Sequence, residues 1–209
     1  MVFPSDTPHN HLQVSNGHIK LVNNFTYLGI DVSDSRTAFR NRRVKAWAAA
    51  AKLSIISRSE IRDDLKVQLF KAITESVLLY RAEALTINAT LAKEIDRPHS
   101  ALLRNALNIH WPQRVTNISL YQLARIPRGG KTARKKRLGL YGHVMRHPTE
   151  IPAGLILHTQ PKEKYRVGGH RRTTYEAVIA ADFQLLLASP TAWQDRNAWN
   201  MIVTNAALT

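Results

Sequence analysis

Apolar residues recur at helical spacing along most of this chain, and that period limits the possible folds more than any other feature. From residue 44 onward they return every three or four residues, in runs separated by prolines, glycines and capping residues. This period is typical of an α-helix with one buried face, whereas a strand alternates every second residue. With 209 residues, 44% of them hydrophobic, the chain can bury a sizeable core. The sequence therefore predicts a mainly α fold of about six helices.

Each predicted helix has a set of apolar residues at that spacing, which we expect to form its buried face. In chain order the sets are Val44, Trp47, Ala48, Ala51 and Ile55; Leu65, Leu69, Phe70, Ile73, Val77 and Tyr80; Leu91, Ile95, Leu102, Ala106 and Ile109; Ile118, Leu120 or Tyr121, and Leu123; Ala177, Val178, Ala181 and Leu185; and Trp193, Trp199 and Ile202. Pro98 lies inside the third helix, which it should kink or split in two. Ser57 with Glu60, and Thr173 with Glu176, have the spacing of a capping box and predict two helix starts.

A basic helix is predicted over Lys131–Met145, after a loop of proline and glycine at residues 127–130. Gly139 and Gly142 lie inside this helix, where each glycine costs about 1 kcal/mol relative to alanine. We therefore expect a packing reason for them, or a backbone that approaches a ligand. Residues 147–172 are rich in proline and glycine and predict an ordered loop or linker.

A strand signal precedes the helices. Ile19 and Leu21, then Phe25 and Tyr27, lie on either side of Asn23-Asn24, two residues that tolerate turn geometry. We expect a β-hairpin over residues 17–34, after a flexible segment of residues 1–16. The rest of the chain is expected to form a helical bundle over residues 35–126, followed over residues 127–209 by the basic helix, the loop and the C-terminal helices.

Thirty Lys and Arg side chains against fifteen Asp and Glu give a formal charge of +15, and the excess is concentrated in the middle of the chain. Residues 97–172 hold sixteen basic and two acidic side chains, a net +14, while residues 1–96 and 173–209 contribute +3 and −2. No acid occurs between Arg97 and Thr149. Like charges repel one another unless an anion relieves them. The pattern favours nucleic-acid contact over a merely solvated helix face.

Several other kinds of chemistry are disfavoured. The chain has no cysteine, which excludes disulfides and thiol nucleophiles. Two-metal catalysis needs clustered carboxylates, but the one adjacent acid pair, Asp63-Asp64, lies in the first turn of a predicted helix, where acids favour the helix dipole. His143 and His147 could face one metal, yet a structural zinc needs four ligands, so no metal or cofactor is predicted. Charged residues interrupt the apolar stretch 67–85, so we expect an intracellular protein without a membrane partner.

Six segments that occur in a fixed order carry a resemblance. They are Phe25-Thr26-Tyr27-Leu28-Gly29; Leu78-Leu79-Tyr80-Arg81-Ala82-Glu83-Ala84-Leu85; Leu103-Arg104-Asn105-Ala106-Leu107-Asn108-Ile109 with Arg114-Val115-Thr116-Asn117; Arg137-Leu138-Gly139-Leu140-Tyr141-Gly142-His143-Val144-Met145-Arg146; Gly169 to Tyr175; and Asp195-Arg196 with Trp199. In this order the chain resembles the C-terminal part of the endonuclease/reverse-transcriptase proteins of non-LTR (LINE-type) retrotransposons. Arg81 stands where the family has glycine, and Leu85 where it has tryptophan.

The resemblance implies a primer-grip hairpin, a thumb-like helical bundle and the segment that follows it. Phe25, Tyr27, Leu28 and Gly29 would be the primer-grip-like residues. The fingers and the palm with its catalytic carboxylates would lie upstream of Met1, so no catalytic residue is assigned and the chain alone is not expected to be an enzyme.

The expected partner is an RNA or DNA duplex, held by its phosphates without sequence preference. The predicted nucleic-acid-binding residues are Arg104, Arg114, Lys131, Arg134, Lys135, Arg137, His143, Arg146, Arg171 and Arg172. Two other functions stay open. The chain could be a vestigial or protein-interaction remnant that has no nucleic-acid role, or a polymerase piece that complements a separate palm and fingers region.

Overall fold

The computed structural model describes residues 35–154 and 173–207 in full, and the backbone of four short strands before them. The strands are β1 His11–Val14, β2 Gly17–Lys20, β3 Thr26–Tyr27 and β4 Ile30–Asp31. The helices are α1 Ser35–Lys52, α2 Ser54–Arg58, α3 Asp63–Leu69, α4 Ser76–Leu78, α5 Ala89–Ala106, α6 Asn117–Ala124, α7 Gly129–Arg146, α8 Tyr175–Leu185 and α9 Arg196–Asn205. A π-helical segment, Phe70–Glu75, joins α3 to α4, and single 3-10 turns lie at Ala82–Ala84 and Ala192–Gln194. The fold is mainly α, as predicted.

The N-terminal strands do not form the predicted hairpin. β1 pairs antiparallel with β2, with Leu12 opposite Ile19, and β3 pairs separately with β4. The predicted pairing across Asn23-Asn24 is therefore wrong, since β2 and β3 are not neighbours in a sheet. Alternation of residues does not by itself specify which strand is the partner. β1 lies in residues 1–16, where no element was predicted.

The winding changes along the helix that runs from α3 to α4. Phe70–Glu75 is π-helical, which places more residues in each turn than an α-helix does. The phase of the following residues is therefore shifted. Phe70 is fully buried as predicted, whereas Ile73 and Tyr80 are 37% and 48% exposed. The predicted stripe is thus wrong at Ile73 and Tyr80, because a regular α-helical period cannot anticipate a π-helical turn. It is also wrong at Leu65, which lies in α3 before that turn and is 44% exposed.

Helix α1 buries the face opposite to the one predicted. Its buried residues are Ala38, Phe39, Arg42, Ala46 and Ala50. On the predicted face, Val44 and Trp47 are 66% and 40% exposed, and Ile55 of α2 is 82% exposed. Apolar residues occur on both faces of α1, so the helical period alone does not decide which face packs on the core. We name Val44, Trp47 and Ile55 the outer stripe.

Helix α5 continues through Pro98, which does not split it. Its N-cap is Asn88, whose side-chain oxygen accepts a hydrogen bond from the Leu91 N–H at 2.8 Å. Leu91 and Ile95 are buried, as predicted. The helix spans the hydrophobic cluster that also contains residues of α1, α6 and the first part of α7.

Two of the helix starts differ from the predicted capping boxes. Ser57 lies inside α2, and the next helix begins at Asp63 instead, so the box with Glu60 is wrong. Thr174, one residue after the predicted Thr173, caps α8 by accepting a hydrogen bond from the Ala177 N–H at 3.2 Å. Capping thus marks α8 correctly to within one residue.

Helix α7 begins earlier than predicted because Gly129 and Gly130 pack on α5. The Gly130 N–H donates to the Asp96 Oδ1 at 2.8 Å, so a side chain of α5 caps α7. A Cβ atom on Gly129 would lie 2.9 Å from the His99 ring. The glycine pair that predicted a loop instead permits close contact between two helices.

Helix α7 also belongs to two hydrophobic clusters. Ala133 lies in the first, and Leu138 lies in the second with Phe183 and Trp199. The Trp199 Nε1 donates to the Leu138 carbonyl oxygen at 3.1 Å. A Cβ atom on Gly142 would overlap this indole, which is the packing reason expected for that glycine. No atom of the described residues lies within 4 Å of the corresponding position at Gly139.

The buried faces of α6 and α8 agree only in part with the predicted ones. Helix α6 buries Leu120 and Tyr121, but Ile118 and Leu123 are 62% and 56% exposed. Helix α8 buries Val178, as predicted, together with Ile179, Asp182 and Phe183. The predicted residues Ala177, Ala181 and Leu185 are exposed, because α8 turns a buried carboxylate toward α7.

Candidate nucleic-acid interface

Arg137, in the middle of α7, is a buried structural residue. Its guanidinium is 3% exposed and donates from Nε and Nη2 to the Asp182 Oδ2, at 3.0 and 2.5 Å. Nη1 donates to the Ile87 carbonyl oxygen at 3.3 Å. The prediction that Arg137 contacts phosphate is therefore corrected, because its charge is neutralised inside the protein by a carboxylate from α8.

Other cations of α7 also make contacts within the protein. The Arg134 Nε lies 3.2 Å from the Asp182 Oδ1, so one carboxylate pairs with two arginines. Arg146 donates to the Trp193 carbonyl oxygen at 3.0 Å, and the Lys136 Nζ to the Leu79 carbonyl oxygen at 3.3 Å. Arg134 and Arg146 are partly buried, so both combine contacts within the protein with some exposure to solvent. Their role in binding nucleic acid stays a prediction.

Arg104 joins α5 to the start of α6. Its Nη2 donates to the Val115 carbonyl oxygen at 3.0 Å and to the Asn117 Oδ1 at 2.7 Å. The side chain is partly buried and holds the connection between the two helices. Arg104 therefore has a structural role, and its role in binding nucleic acid stays a prediction.

The remaining predicted residues fall into three groups. Arg114, Lys135 and His143 are exposed, and Lys131 is partly buried. The His143 ring lies 5.2 Å from that of His147, whose Nδ1 is 2.9 Å from the Glu150 Oε2. Arg171, Arg172, Phe25, Leu28 and Gly29 lie outside the described residues, and only the backbone of Tyr27 is described, in β3.

Six cations of the acid-free stretch reach the surface, and we name them the exposed cations. They are Arg97, Arg114, Arg125, Arg128, Lys135 and Lys136. In the described part of the chain none of them pairs with a carboxylate. Four of them, Arg97, Arg125, Arg128 and Lys136, were not among the predicted binding residues, although the absence of nearby acids in the sequence was a signal that applied to them.

A hydrogen-bonded chain of buried groups lies beneath Arg128. The Arg128 guanidinium is 5.9 Å from the centre of the Tyr121 ring. The Tyr121 hydroxyl is 2.9 Å from the His99 Nδ1, and the His99 Nε2 is 3.0 Å from the Glu75 Oε1. Burial raises the pKa of Tyr121, so the phenol stays protonated. The chain connects the π-helical segment, α5 and α6 under one edge of the surface.

Helix α1 provides a second set of surface cations. Arg40, Arg43, Lys45 and Lys52 are exposed, and α1 contains no acidic residue. Arg36, also exposed, pairs with Glu94 of α5 at 3.0 Å. These cations flank the outer stripe, so this face of α1 combines apolar and cationic groups.

Arg42 is the buried cation of α1. It is 4% exposed, and none of its three nitrogens has a hydrogen-bond partner among the residues that the structure describes. Its guanidinium lies 6.0 Å from the centre of the Tyr80 ring. Burial lowers the pKa of Arg42, and the nearby Glu83 carboxylate partly offsets this effect.

The described residues contain no group of three His, Asp or Glu side chains arranged to hold a metal ion. Asp64 belongs to the adjacent acid pair that the sequence analysis disfavoured as a metal site, and it pairs with the nearby Arg62 on the surface. None of the helices in the described ranges has the length and apolar character needed to cross a bilayer.

Comparison of the chain with family models, with curated proteins and with solved structures gives no match.

Proposed function

We propose that this chain binds an RNA or DNA duplex without sequence preference, as a fragment related to a retrotransposon reverse transcriptase. The observation that carries the proposal is the group of exposed cations, which face solvent without a carboxylate partner among the described residues. Arginine and lysine side chains that neutralise phosphates release the counterions of the nucleic acid, which favours binding. The interface proposed here therefore differs from the predicted one, since it depends on exposed residues rather than on Arg134 and Arg137.

The backbone at Arg81 supports the relation to the thumb-like bundle. Arg81 occupies the position at which the family motif has glycine, and its φ is 52°, in the left-handed region. Glycine adopts this region at little steric cost. A glycine in the related proteins would suit the same local backbone.

A salt titration tests the proposal. If about five phosphates are contacted, the logarithm of the binding constant should fall with the logarithm of salt concentration with a slope near −4. The binding of a labelled duplex would be measured by fluorescence anisotropy, on two duplexes of unrelated sequence. A flat response to salt, or no binding at low salt by the folded protein, would contradict the proposal.

Variants of α7 separate binding from folding. Lys135→Gln should weaken binding similarly on both duplexes and reduce the salt slope by about 1, with little effect on stability. Lys71→Gln is the matched control, because Lys71 is also exposed but lies outside the acid-free stretch. Equal loss of affinity in the two variants would show that total charge, and not this surface, governs binding.

We propose no polymerase activity for the chain by itself, because its resemblance to the family does not include the palm carboxylates. Nucleotide incorporation by the purified chain on a primed template would refute this part of the proposal. Incorporation only after addition of a separate palm and fingers region would instead favour the complementing polymerase piece.

A protein-interaction role is the second candidate, and the outer stripe favours it. Val44, Trp47 and Ile55 expose apolar surface that no described residue covers. If this face binds a protein and the chain has no nucleic-acid role, the folded wild-type protein should bind no duplex at low salt. If it does bind duplex, loss of that binding in the double variant Val44→Ser with Ile55→Ser would assign the face to nucleic acid instead.

A further inference from the structure

Trp111 exposes its indole to solvent. It lies between α5 and α6 and is 89% exposed, whereas Trp47 is 40% exposed and Trp199 is 1% exposed. An indole in water forgoes the favourable free energy that its burial would contribute. No residue of the described chain covers it, so packing within this fold does not account for its position.

The turn that carries Trp111 is held in place from both sides. The Gln113 N–H donates to the His110 carbonyl oxygen at 2.8 Å, which closes a turn around Trp111 and Pro112. On one side the Ile109 N–H donates to the Arg104 carbonyl oxygen at 2.9 Å. On the other side the Arg104 Nη2 donates to the Val115 carbonyl oxygen at 3.0 Å. A ring on a fixed turn loses little conformational freedom when it stacks against a ligand.

Most of the residues next to Trp111 in the sequence are polar or cationic. His110, Gln113 and Arg114 are all exposed, and no acid occurs between Arg97 and Thr149. A ligand that combines flat rings with negative charge matches both features. Nucleobases stack on aromatic side chains whatever the sequence, and the adjoining phosphates favour arginine. A lipid surface or a protein hot spot would instead be matched by a contiguous apolar area around the ring.

We propose that Trp111 is a base-stacking residue that binds an unpaired base of a nucleic acid, with Arg114 beside it for the neighbouring phosphate. This inference rests on the proposed function and adds a ligand class to it: single-stranded segments and open ends. Bases inside a continuous duplex are already stacked on one another and offer no such face. The exposed cations therefore bind the phosphates of a duplex. Trp111 adds binding at a position where a strand leaves the duplex and its bases become unpaired.

Two nucleic acids test the proposal, one that has unpaired bases and one that has none. One is a single-stranded oligonucleotide, and the other is a relaxed closed-circular duplex, which has no ends. Trp111→Ala should weaken binding of the single strand about tenfold, within the range expected for one stacked base, and leave the circular duplex nearly unchanged. Trp111→Phe should restore most of the affinity, because it keeps an aromatic face. Ile118→Ala is the control, since it truncates another exposed apolar side chain, 62% exposed, that has no ring.

The possible failures are distinguishable. If the wild-type protein binds the closed duplex with the expected salt slope but Trp111→Ala does not weaken single-strand binding, base stacking is refuted and the proposed function stands. If the wild-type protein binds neither nucleic acid, both are refuted.

Quenching of the indole fluorescence by the oligonucleotide should be lost in Trp111→Ala. A blue shift with vesicles of anionic lipid, without quenching by the oligonucleotide, would assign Trp111 to a lipid surface and overturn the proposal. Urea unfolding midpoints equal to that of the wild type confirm that each variant is folded.

Discussion

Arg137 of α7 donates two hydrogen bonds to a single carboxylate oxygen of Asp182 in α8, at 3.0 and 2.5 Å, and both side chains are buried. A third hydrogen bond reaches the Ile87 carbonyl oxygen, ahead of α5. The same Asp182 also pairs with Arg134. This ion pair therefore ties the C-terminal helices to the rest of the structure, in the part of the chain that has the largest excess of positive charge.

Removal of the Asp182 carboxylate should be strongly destabilising. Asp182→Ala leaves the Arg137 charge buried without its partner, and we expect a loss of about 3–5 kcal/mol in the free energy of unfolding, measured by urea denaturation. Glu94→Ala removes the carboxylate from the exposed Arg36 pair and should cost no more than about 1 kcal/mol. Similar losses in the two variants would contradict the structural role of Asp182.

Two glycines of the same helix should respond in opposite directions to alanine. Gly142→Ala places a methyl group on the Trp199 indole, and overpacking of this kind costs about 1–3 kcal/mol. Gly139→Ala meets nothing within 4 Å, so it should gain up to about 1 kcal/mol from the better helix propensity of alanine. Thermal unfolding of both variants measures the contrast. A stable Gly142→Ala variant would mean that Trp199 does not pack on α7.

The left-handed backbone at Arg81 predicts a stabilising substitution. A non-glycine residue in this region costs about 1–2 kcal/mol, and glycine removes that cost. The greater conformational freedom of glycine in the unfolded chain cancels part of this gain. Arg81→Gly should therefore raise the free energy of unfolding by about 0.5–1 kcal/mol. Arg81→Ala removes the guanidinium but keeps the unfavourable conformation, so it should give no gain. A gain from alanine equal to that from glycine would assign the effect to the arginine side chain.

Tyr175 predicts a loss of stability at alkaline pH. Burial raises the pKa of its phenol to about 12, from an ordinary value of about 10. The stability that this phenol contributes is fully present at a pH below its pKa in the unfolded chain. It is lost as the pH rises toward its higher pKa in the folded protein, because the unfolded chain releases the proton first. Tyr175→Phe should reduce the loss of stability between about pH 10 and 12. At neutral pH the substitution should be nearly neutral, because the buried hydroxyl has no hydrogen-bond partner among the described residues. An unchanged alkaline profile, followed by urea unfolding, would contradict this assignment.

Tyr121 should behave differently from Tyr175. Its hydroxyl is hydrogen-bonded to the His99 Nδ1, and Tyr121→Phe leaves that buried nitrogen without a partner. We expect a loss of about 1–3 kcal/mol in the free energy of unfolding at neutral pH. Equal effects of the two Tyr→Phe substitutions would show that the chain from Tyr121 through His99 to Glu75 does not contribute to stability.

Helix content, several boundaries and some of the core were predictable because they depend on neighbours within a few residues. The spacing of Leu91, Ile95 and Leu102 identified the inner face of α5, and the predicted capping box at Thr173 lies one residue before the observed cap of α8. The failures have specific causes. In α1, apolar residues on both faces left the orientation open, and the π-helical turn after Leu69 shifted the phase that the spacing had implied.

What the sequence by itself determined is the helical class and the concentration of positive charge between Arg97 and Thr149, both of which follow from composition and short-range order. The fate of each cation was decided only by the tertiary structure. Arg137 and Lys135 are two residues apart on α7, yet one is buried against Asp182, 45 residues away in the chain, and the other faces solvent. Folding brings distant carboxylates and carbonyl oxygens to some cations and leaves others in water. A charged residue therefore becomes a structural link or a binding group according to long-range packing, which local sequence does not encode.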